Sequence, residues 1–135
     1  MKKLKEKMNR KGFTLVEIMI VVAIIALLAA IAIPNLLRAK ISANDALALS
    51  TLKALSTASE TFGTTNSGNY PLDMASLTGA TPPYISKDYC DKTISGFIYT
   101  CTQASDGYTY VATPVTVGTS GTTVYTITTG AVLTP

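Results

Sequence analysis

The sequence contains no histidine and no tryptophan among its 135 residues, and only 14% of them are charged. The absence of histidine removes the imidazole group that most zinc sites and many general acid–base enzymes use. The sequence also lacks a glycine-rich phosphate loop and a G-x-S-x-G nucleophile motif. These absences exclude the common hydrolase and metalloenzyme classes. We therefore expect a protein that is not an enzyme and that uses no cofactor.

Positive charge is scarce outside the N-terminus. The first twelve residues hold six of the eleven Lys and Arg residues, and after Phe62 the only basic residues are Lys87 and Lys92. Nucleic-acid affinity depends mainly on basic side chains that neutralise phosphates, and this chain offers no extended basic surface. We expect no nucleic-acid partner, although capture of a ligand such as DNA is retained as an alternative.

A long apolar segment follows the basic tip. Between Phe13 and Ile33 only Thr14 and Glu17 are neither apolar nor small. A helix of this length spans about 30 Å, the thickness of the hydrocarbon core of a bilayer. The segment predicts a single membrane-spanning helix with its basic N-terminus on the cytoplasmic side. A cleaved secretory signal is the alternative, but the apolar run extends past the possible peptidase site at 29–32.

Glu17 is the one ionisable residue of the apolar segment. A charge inside an apolar helix costs about 2.5–3.5 kcal/mol on insertion scales, so it is expected to have a cationic partner or a function. Alternatively, Glu17 lies near the helix start, where the helix dipole favours a carboxylate and the side chain can reach the interface. The residues alone leave both interpretations open.

Residues 11–17, with the sequence KGFTLVE, the apolar run and Pro34 together resemble the prepilin signature of type IV pilins and type II secretion pseudopilins. The resemblance implies that a prepilin peptidase cuts after Gly12 and N-methylates the new amino terminus of Phe13. It also implies that Glu17 pairs with the amino terminus of a subunit during assembly, and whether this is the same or a neighbouring subunit stays open.

The resemblance further implies a structural subunit of a fimbrial filament. The precursor would reside in the cytoplasmic (inner) membrane, and the filament would be a pilus at the cell surface or a periplasmic pseudopilus. The implied partners are prepilin peptidase, other copies of the chain, an inner-membrane assembly platform and, before assembly, membrane lipid. The choice between major and minor subunit, and between adhesion, twitching motility, DNA uptake and secretion, stays open. The alternative from another class is an uncleaved single-pass anchor that displays a small β binding module.

The patterns divide the chain into consecutive parts. These are the basic leader 1–12, the transmembrane or filament-core helix half 13–34, the amphipathic helix half 35–62, a connecting loop 63–85 and a small antiparallel sheet 86–135. Pro34 either bends or ends the helix, and the apolar period that continues to Phe62 favours a kink. Gly63 is the predicted residue just past the helix, and Glu60 is assigned to the half-solvated face.

The C-terminal third predicts an α+β fold in which a small antiparallel meander lies on the second half of the helix, as in type IV pilins. Strands are predicted at 94–102, 108–113, 122–128 and 131–133, with turns at 105–107 and 118–121. Asp73 is predicted to cap one short helical turn in the connecting loop.

Cys90 and Cys101 are the only cysteines, and we predict that they form a disulfide. A two-cysteine metal or redox site is the alternative, but it lacks C-x-x-C spacing and further ligands. Major pseudopilins carry a calcium site near the C-terminus, whereas the 29 residues after Asp106 contain no acidic residue. We interpret Asp88 and Asp91 as solvated loop residues, expect no metal site, and favour a pilus subunit over a pseudopilin.

Overall fold

The computed structural model describes residues 12–135, so the predictions for residues 1–11 of the leader lie outside the described residues. One compact unit ends at Leu36, and the second comprises Leu37–Pro135. A single helix, α1, contributes to both units. The elements are α1 (Leu15–Thr65), α2 (Met74–Thr78), β1 (Thr93–Ile94), β2 (Phe97–Ala104), β3 (Gly107–Pro114), β4 (Tyr125–Thr128) and β5 (Val132–Thr134).

The helix α1 continues through Pro34, as the apolar period predicted, and a kink there stays a prediction. In the first unit every large apolar side chain from Leu15 to Leu36 is at least 51% exposed. By length and composition α1 is able to cross a membrane, since its most apolar 18-residue window has a mean hydropathy of 3.0. The first unit is therefore an apolar helix whose large side chains are mostly exposed.

The second unit has its core between α1 and the sheet. One face of the helix, spaced at three and four residues, is buried against the inward side chains of β2, β3 and β4. This packing confirms the predicted α+β architecture, with the sheet on the second half of the helix. The largest fully buried side chains include Leu52, Leu55, Phe97, Tyr99, Tyr110 and Ile127.

The five strands form an antiparallel meander in chain order, which confirms the predicted topology. The predicted strand 94–102 is wrong in one respect, because it consists of two strands. Ser95 and Gly96, with φ of 49° and 80°, reverse the chain between Ile94 and Phe97. A two-residue hairpin turn of this kind requires positive φ at both residues, which glycine adopts without steric cost.

The C-terminal end of α1 lies three residues beyond the predicted last residue, Phe62. Ser67 and Gly68 carry positive φ, and the amide of Gly68 donates to the carbonyl of Gly63 at 2.8 Å, so the left-handed cap comes later than predicted. Gly63 instead leaves room for the ring of Tyr70, because a Cβ at position 63 would lie 3.3 Å from Cε1 of Tyr70.

The connecting region is anchored by α2, which follows its predicted cap. The Asp73 carboxylate accepts a hydrogen bond from the backbone amide of Ser76 at 2.8 Å, which confirms the predicted cap. Leu77 in this helix is fully buried, and Phe62 and Tyr84 pack edge to face with their ring centroids 5.4 Å apart. The region therefore contributes apolar contacts to the core.

The predicted strand 122–128 begins only at Tyr125, because the preceding loop is held by α1. The side-chain amide of Asn44 donates to the carbonyl of Ser120 at 2.7 Å. Asp45 accepts hydrogen bonds from the backbone amide and the hydroxyl of Thr122, at 3.0 and 2.6 Å. The Ser120 carbonyl and the Thr122 amide therefore bond to the helix and are not available to pair with a neighbouring strand.

Candidate functional site

The segment before α1 carries the predicted processing site. Gly12, Phe13 and Thr14 lie outside the helix, and all three are exposed. No heavy atom lies within 4 Å of the position that a Cβ on Gly12 would occupy, and Phe13 is 84% exposed. The two residues that form the Gly12–Phe13 peptide bond are thus non-helical and exposed.

Thr14 and Glu17 form a capping box at the start of α1. One carboxylate oxygen of Glu17, Oε2, accepts hydrogen bonds from the Thr14 amide at 2.7 Å and from the Thr14 hydroxyl at 2.8 Å. The amide of Glu17 donates in return to the Thr14 hydroxyl at 3.2 Å. This reciprocal pattern satisfies amide groups that the first turn of a helix leaves without partners.

The capping box fixes where the Glu17 carboxylate lies. The bonds hold Oε2 of Glu17 against Thr14, which directly follows Phe13. Among residues 12–135, none donates a hydrogen bond to the other carboxylate oxygen, Oε1. Sequence reasoning singled out Glu17 and missed the role of Thr14, although the T-x-x-E spacing is the signal for a capping box. The structure thus brings Glu17 and Thr14 together next to the predicted new N-terminus.

Pro34 lies in the same apolar unit but not at this site. Sixteen helical residues separate it from Glu17, which corresponds to about 25 Å along the axis. Pro34 is therefore too far from Glu17 to contact it, and its role in assembly stays a prediction.

The disulfide between Cys90 and Cys101 is present, with a Cα–Cα distance of 5.6 Å, and joins the loop before β1 to β2. Asp88 lies in a loop with its side chain 44% exposed, as predicted, and it also accepts a hydrogen bond from the Cys90 amide at 2.9 Å and pairs with Lys92 Nζ at 2.9 Å. The bond from Lys92, aided by that amide, lowers the pKa of Asp88. Within residues 12–135 no three His, Cys, Asp or Glu side chains lie close enough to hold a metal ion.

Glu60 links the helix to the sheet through three hydrogen bonds. Its Oε1 accepts from the Tyr108 hydroxyl and from the Gly130 amide, both at 2.7 Å, and its Oε2 accepts from the Tyr70 hydroxyl at 3.0 Å. Partial burial disfavours the charged carboxylate, but the bonds from Tyr108, Gly130 and Tyr70 together outweigh it and lower the pKa of Glu60. The assignment of Glu60 to a half-solvated helix face missed this role.

Two serines of α1 extend this network into the core. Ser56 lies 2.7 Å from the Tyr108 hydroxyl, and Ser59 lies 2.6 Å from the Tyr110 hydroxyl. Burial, together with the nearby Glu60 carboxylate, raises the pKa of Tyr108 to about 12. The buried hydroxyls of Tyr108 and Tyr110 are therefore paired, as the cost of leaving a buried polar group without a partner requires.

Comparison with known proteins supports the N-terminal assignment. The family model described as the prokaryotic N-terminal methylation motif matches residues 7–33. The type IV wide pilus major component PilA4 of Thermus thermophilus is 68% identical over 37 residues, which cover 27% of this chain and 28% of that protein. The type IV major pilin protein PilA of Myxococcus xanthus is 54% identical over 54 residues, which cover 40% of this chain and 24% of that protein.

These matches span only about a quarter of each relative's length and leave most of the second unit unmatched. No solved structure matches the chain. The matched segment includes Gly12, Phe13 and Glu17, and the second unit has the helix-on-meander arrangement that is typical of pilins. The N-terminal segment therefore carries the prokaryotic N-terminal methylation motif and is similar to type IV pilins, and the α+β fold is of the kind typical of type IV pilins.

Proposed function

We propose that the chain is the precursor of a structural subunit of a type IV pilus-like filament, cut after Gly12 and N-methylated at Phe13. The methylation motif at 7–33 carries this proposal, because it coincides with an exposed, non-helical Gly12–Phe13 bond directly before a capped helix. The matched relatives are named as pilus components and not as enzymes, which agrees with a structural role.

Cleavage at this bond has a physical rationale. Gly12 carries no side chain, so a peptidase can approach its backbone closely. Removal of the leader takes away six of the eleven basic residues, and such residues hold the N-terminus of a membrane helix on the cytoplasmic side. Processing therefore releases an apolar helix that the assembly platform can move from lipid into a filament.

The new amino terminus supplies the cation that Glu17 requires. After cleavage the new ammonium belongs to Phe13, the residue directly before Thr14, and the amide and hydroxyl of Thr14 hold Oε2 of Glu17. Methylation to a secondary amine keeps the positive charge. In an apolar environment an unpaired charge is heavily penalised, so pairing of this amine with Glu17 of its own or a neighbouring subunit favours assembly.

The apolar surface of the first unit fits both stages of this pathway. Its side chains from Leu15 to Leu36 are exposed in the isolated chain, and an apolar surface of this extent requires a lipid or protein partner. Membrane lipid covers it in the precursor. Other copies of the same helix cover it in the filament core, and the second units then lie outside.

Processing is tested by replacing Gly12 with tryptophan. The bulky side chain should block close approach of the peptidase, so unprocessed precursor should accumulate in membranes. Membrane fractionation controls for insertion, and intact mass measures cleavage. Complete processing of Gly12→Trp would exclude Gly12 as the cleavage-site residue.

Assembly is tested by variants that separate the charge of Glu17 from its capping bonds. Glu17→Gln keeps an oxygen for Thr14 but removes the charge, whereas Thr14→Val removes the hydroxyl and keeps the charge. We expect Glu17→Gln to be processed normally but to form at least about tenfold fewer filaments, equivalent to about 1.4 kcal/mol. Thr14→Val should have the smaller effect. Normal filament numbers for Glu17→Gln would exclude charge pairing as the basis of assembly.

The names of both matched relatives favour a pilus over a type II secretion pseudopilus. The absence of acidic residues after Asp106 supports the same choice, because calcium sites depend on carboxylates. An uncleaved membrane anchor would instead remain in membranes with residues 1–12 attached.

A further inference from the structure

A cavity of about 340 Å³ lies in the second unit between α1, the turn that joins β1 to β2, and the loop before β4. Its volume falls within the range of about 300–1,000 Å³ that small-molecule sites occupy. We call it the Lys40 cavity, and its lining residues are Lys40, Asn44, Ser95, Gly96, Thr119 and Ser120. Among the described residues no carboxylate lines it. Asp45 follows Asn44 in the chain, but its two oxygens accept hydrogen bonds from Thr122.

Close packing forms the walls of the Lys40 cavity. Asn44 is only 9% exposed, and its side-chain amide donates to the Ser120 carbonyl at 2.7 Å. A Cβ at Gly96 would lie 2.6 Å from the Cβ of Ser120, so only glycine lets the turn approach the loop this closely. The cavity is therefore bounded by packed backbone and by a buried side chain.

The polar groups of the Lys40 cavity are mainly hydrogen-bond donors. Among residues 12–135, none accepts a hydrogen bond from the Lys40 ammonium or from the hydroxyls of Ser95 and Thr119. Within the same part of the chain the backbone amides of Ser95 and Gly96 also have no acceptor. These two amides follow one another in a turn with φ of 49° and 80°, and successive turn amides form concave sites for anions.

This donor set selects the chemical class of the ligand. A phosphate group carries negative charge and several acceptor oxygens, so it matches one ammonium surrounded by hydroxyl and amide donors. A single exposed cation contributes little to affinity, and the cavity would therefore hold a free phosphate only weakly. Such a site is effective where phosphate groups are concentrated, as they are at the surface of a membrane.

The place of Lys40 in the chain brings the cavity to such a surface. Lys40 follows the predicted membrane segment 13–34 by six residues, which span at most about 20 Å even when fully extended. We propose that the Lys40 cavity binds the phosphate of an anionic phospholipid headgroup while the precursor is in the membrane. The inference rests on the membrane stage of the proposed function. Binding keeps the second unit beside the bilayer until the chain enters a filament.

The experiment follows the backbone amide resonances of Gly96 and Thr119 by NMR in the uncleaved full-length protein, held in micelles of a neutral detergent. Addition of phosphatidylglycerol should shift both resonances in a saturable way. Lys40→Gln should weaken the apparent affinity about fivefold, the effect of one basic side chain near anionic lipid. Arg38→Gln is the matched control, because it removes the same charge two residues away from a side chain that does not line the cavity. Its affinity should equal that of wild type.

The hydroxyl groups provide a test that is independent of charge. Thr119→Val removes one donor and should weaken the apparent affinity for phosphatidylglycerol about threefold, which is the effect of one hydrogen bond. The resonance of Gly96 reports binding in this variant. Thr113→Val, which removes an exposed hydroxyl from β3 outside the cavity, is the matched control and should bind like wild type.

Two further ligands identify the source of the phosphate. Phosphatidylcholine, whose headgroup has no net charge, and inorganic phosphate at the same concentration should both leave the two resonances nearly unshifted. An equal response to either ligand would overturn the assignment to an anionic headgroup.

Equal weakening by Arg38→Gln and Lys40→Gln would also overturn the inference, because it would indicate general attraction to an anionic surface. The titration uses the uncleaved chain, so its failure refutes the headgroup site alone. A failure of cleavage in native cells would refute the proposed processing and would leave the result of this titration unchanged.

Discussion

Replacement of Glu60 should destabilise the second unit, because this carboxylate joins three separate parts of the fold. Glu60→Ala leaves the Tyr108 hydroxyl and the Gly130 amide without their acceptor and removes the bond from Tyr70. Hydrogen bonds to a charged group contribute about 1.5–3 kcal/mol each, but partial exposure lets water replace some of them. We expect the free energy of unfolding to fall by about 2–4 kcal/mol. Glu60→Gln keeps an acceptor for Tyr108 and Gly130 and should lose about 1 kcal/mol.

The assay is urea unfolding of the full-length protein in detergent, followed by the fluorescence of its seven tyrosines, since the chain has no tryptophan. Asp106→Ala is the matched control. It removes an exposed carboxylate from the turn between β2 and β3, and it should change the free energy of unfolding by less than about 0.5 kcal/mol. Equal stability of Glu60→Ala and wild type at pH 7 would refute the assigned role of Glu60.

The pH dependence gives a second test of the same network. The pKa of Glu60 is lower in the folded chain than its usual value. Its contribution to stability is therefore complete above the unfolded carboxyl pKa of about 4.3 and is lost as the pH falls through the lower folded value. The difference between wild type and Glu60→Gln should be constant from pH 6 to 8 and shrink below about pH 4. A difference that grows on acidification would contradict this sign.

Two further changes test the packing of the second unit. Replacing both Cys90 and Cys101 with serine should lower the free energy of unfolding by about 2–3 kcal/mol, because the bond closes a loop over a separation of 11 residues; urea midpoints measure this. Gly121→Ala should cost about 1–3 kcal/mol, since a Cβ there would meet the ring of Phe97, and thermal unfolding measures the loss.

Each change has an internal control. A reducing agent should destabilise wild type and leave the double serine variant unaffected, and equal effects on both would exclude the disulfide as the cause. Gly118→Ala introduces a methyl group into open space at a φ of +81°, so only backbone strain of about 1 kcal/mol opposes it. A larger loss for Gly118→Ala than for Gly121→Ala would contradict the close packing at Gly121.

Local sequence patterns predicted the parts of this fold whose causes are local. The apolar run before Pro34, the helical period that continues to Phe62 and the strand at 108–113 each depend on neighbours within a few residues. The Ser95–Gly96 turn was missed although it is also local, because the β-rich residues around it were interpreted as one strand.

The remaining errors have a tertiary origin. Glu60 finds its partners 48 and 70 residues away in the sequence, and Asp45 binds Thr122 at a separation of 77 residues. No periodicity within a helix shows which polar residue will meet a loop folded back from the C-terminus. The capping box at the processing site, in contrast, has a local cause, because the T-x-x-E pattern that positions Glu17 is present in the sequence.

We infer that this chain is cut after Gly12, methylated at Phe13 and assembled into a filament. Intact-mass and N-terminal peptide analysis of the protein from its native cells, in membranes and in material sheared from the surface, tests it most directly. We expect the sheared fraction to contain a chain that begins at methylated Phe13. A chain that still begins at Met1 and is confined to membranes would contradict it.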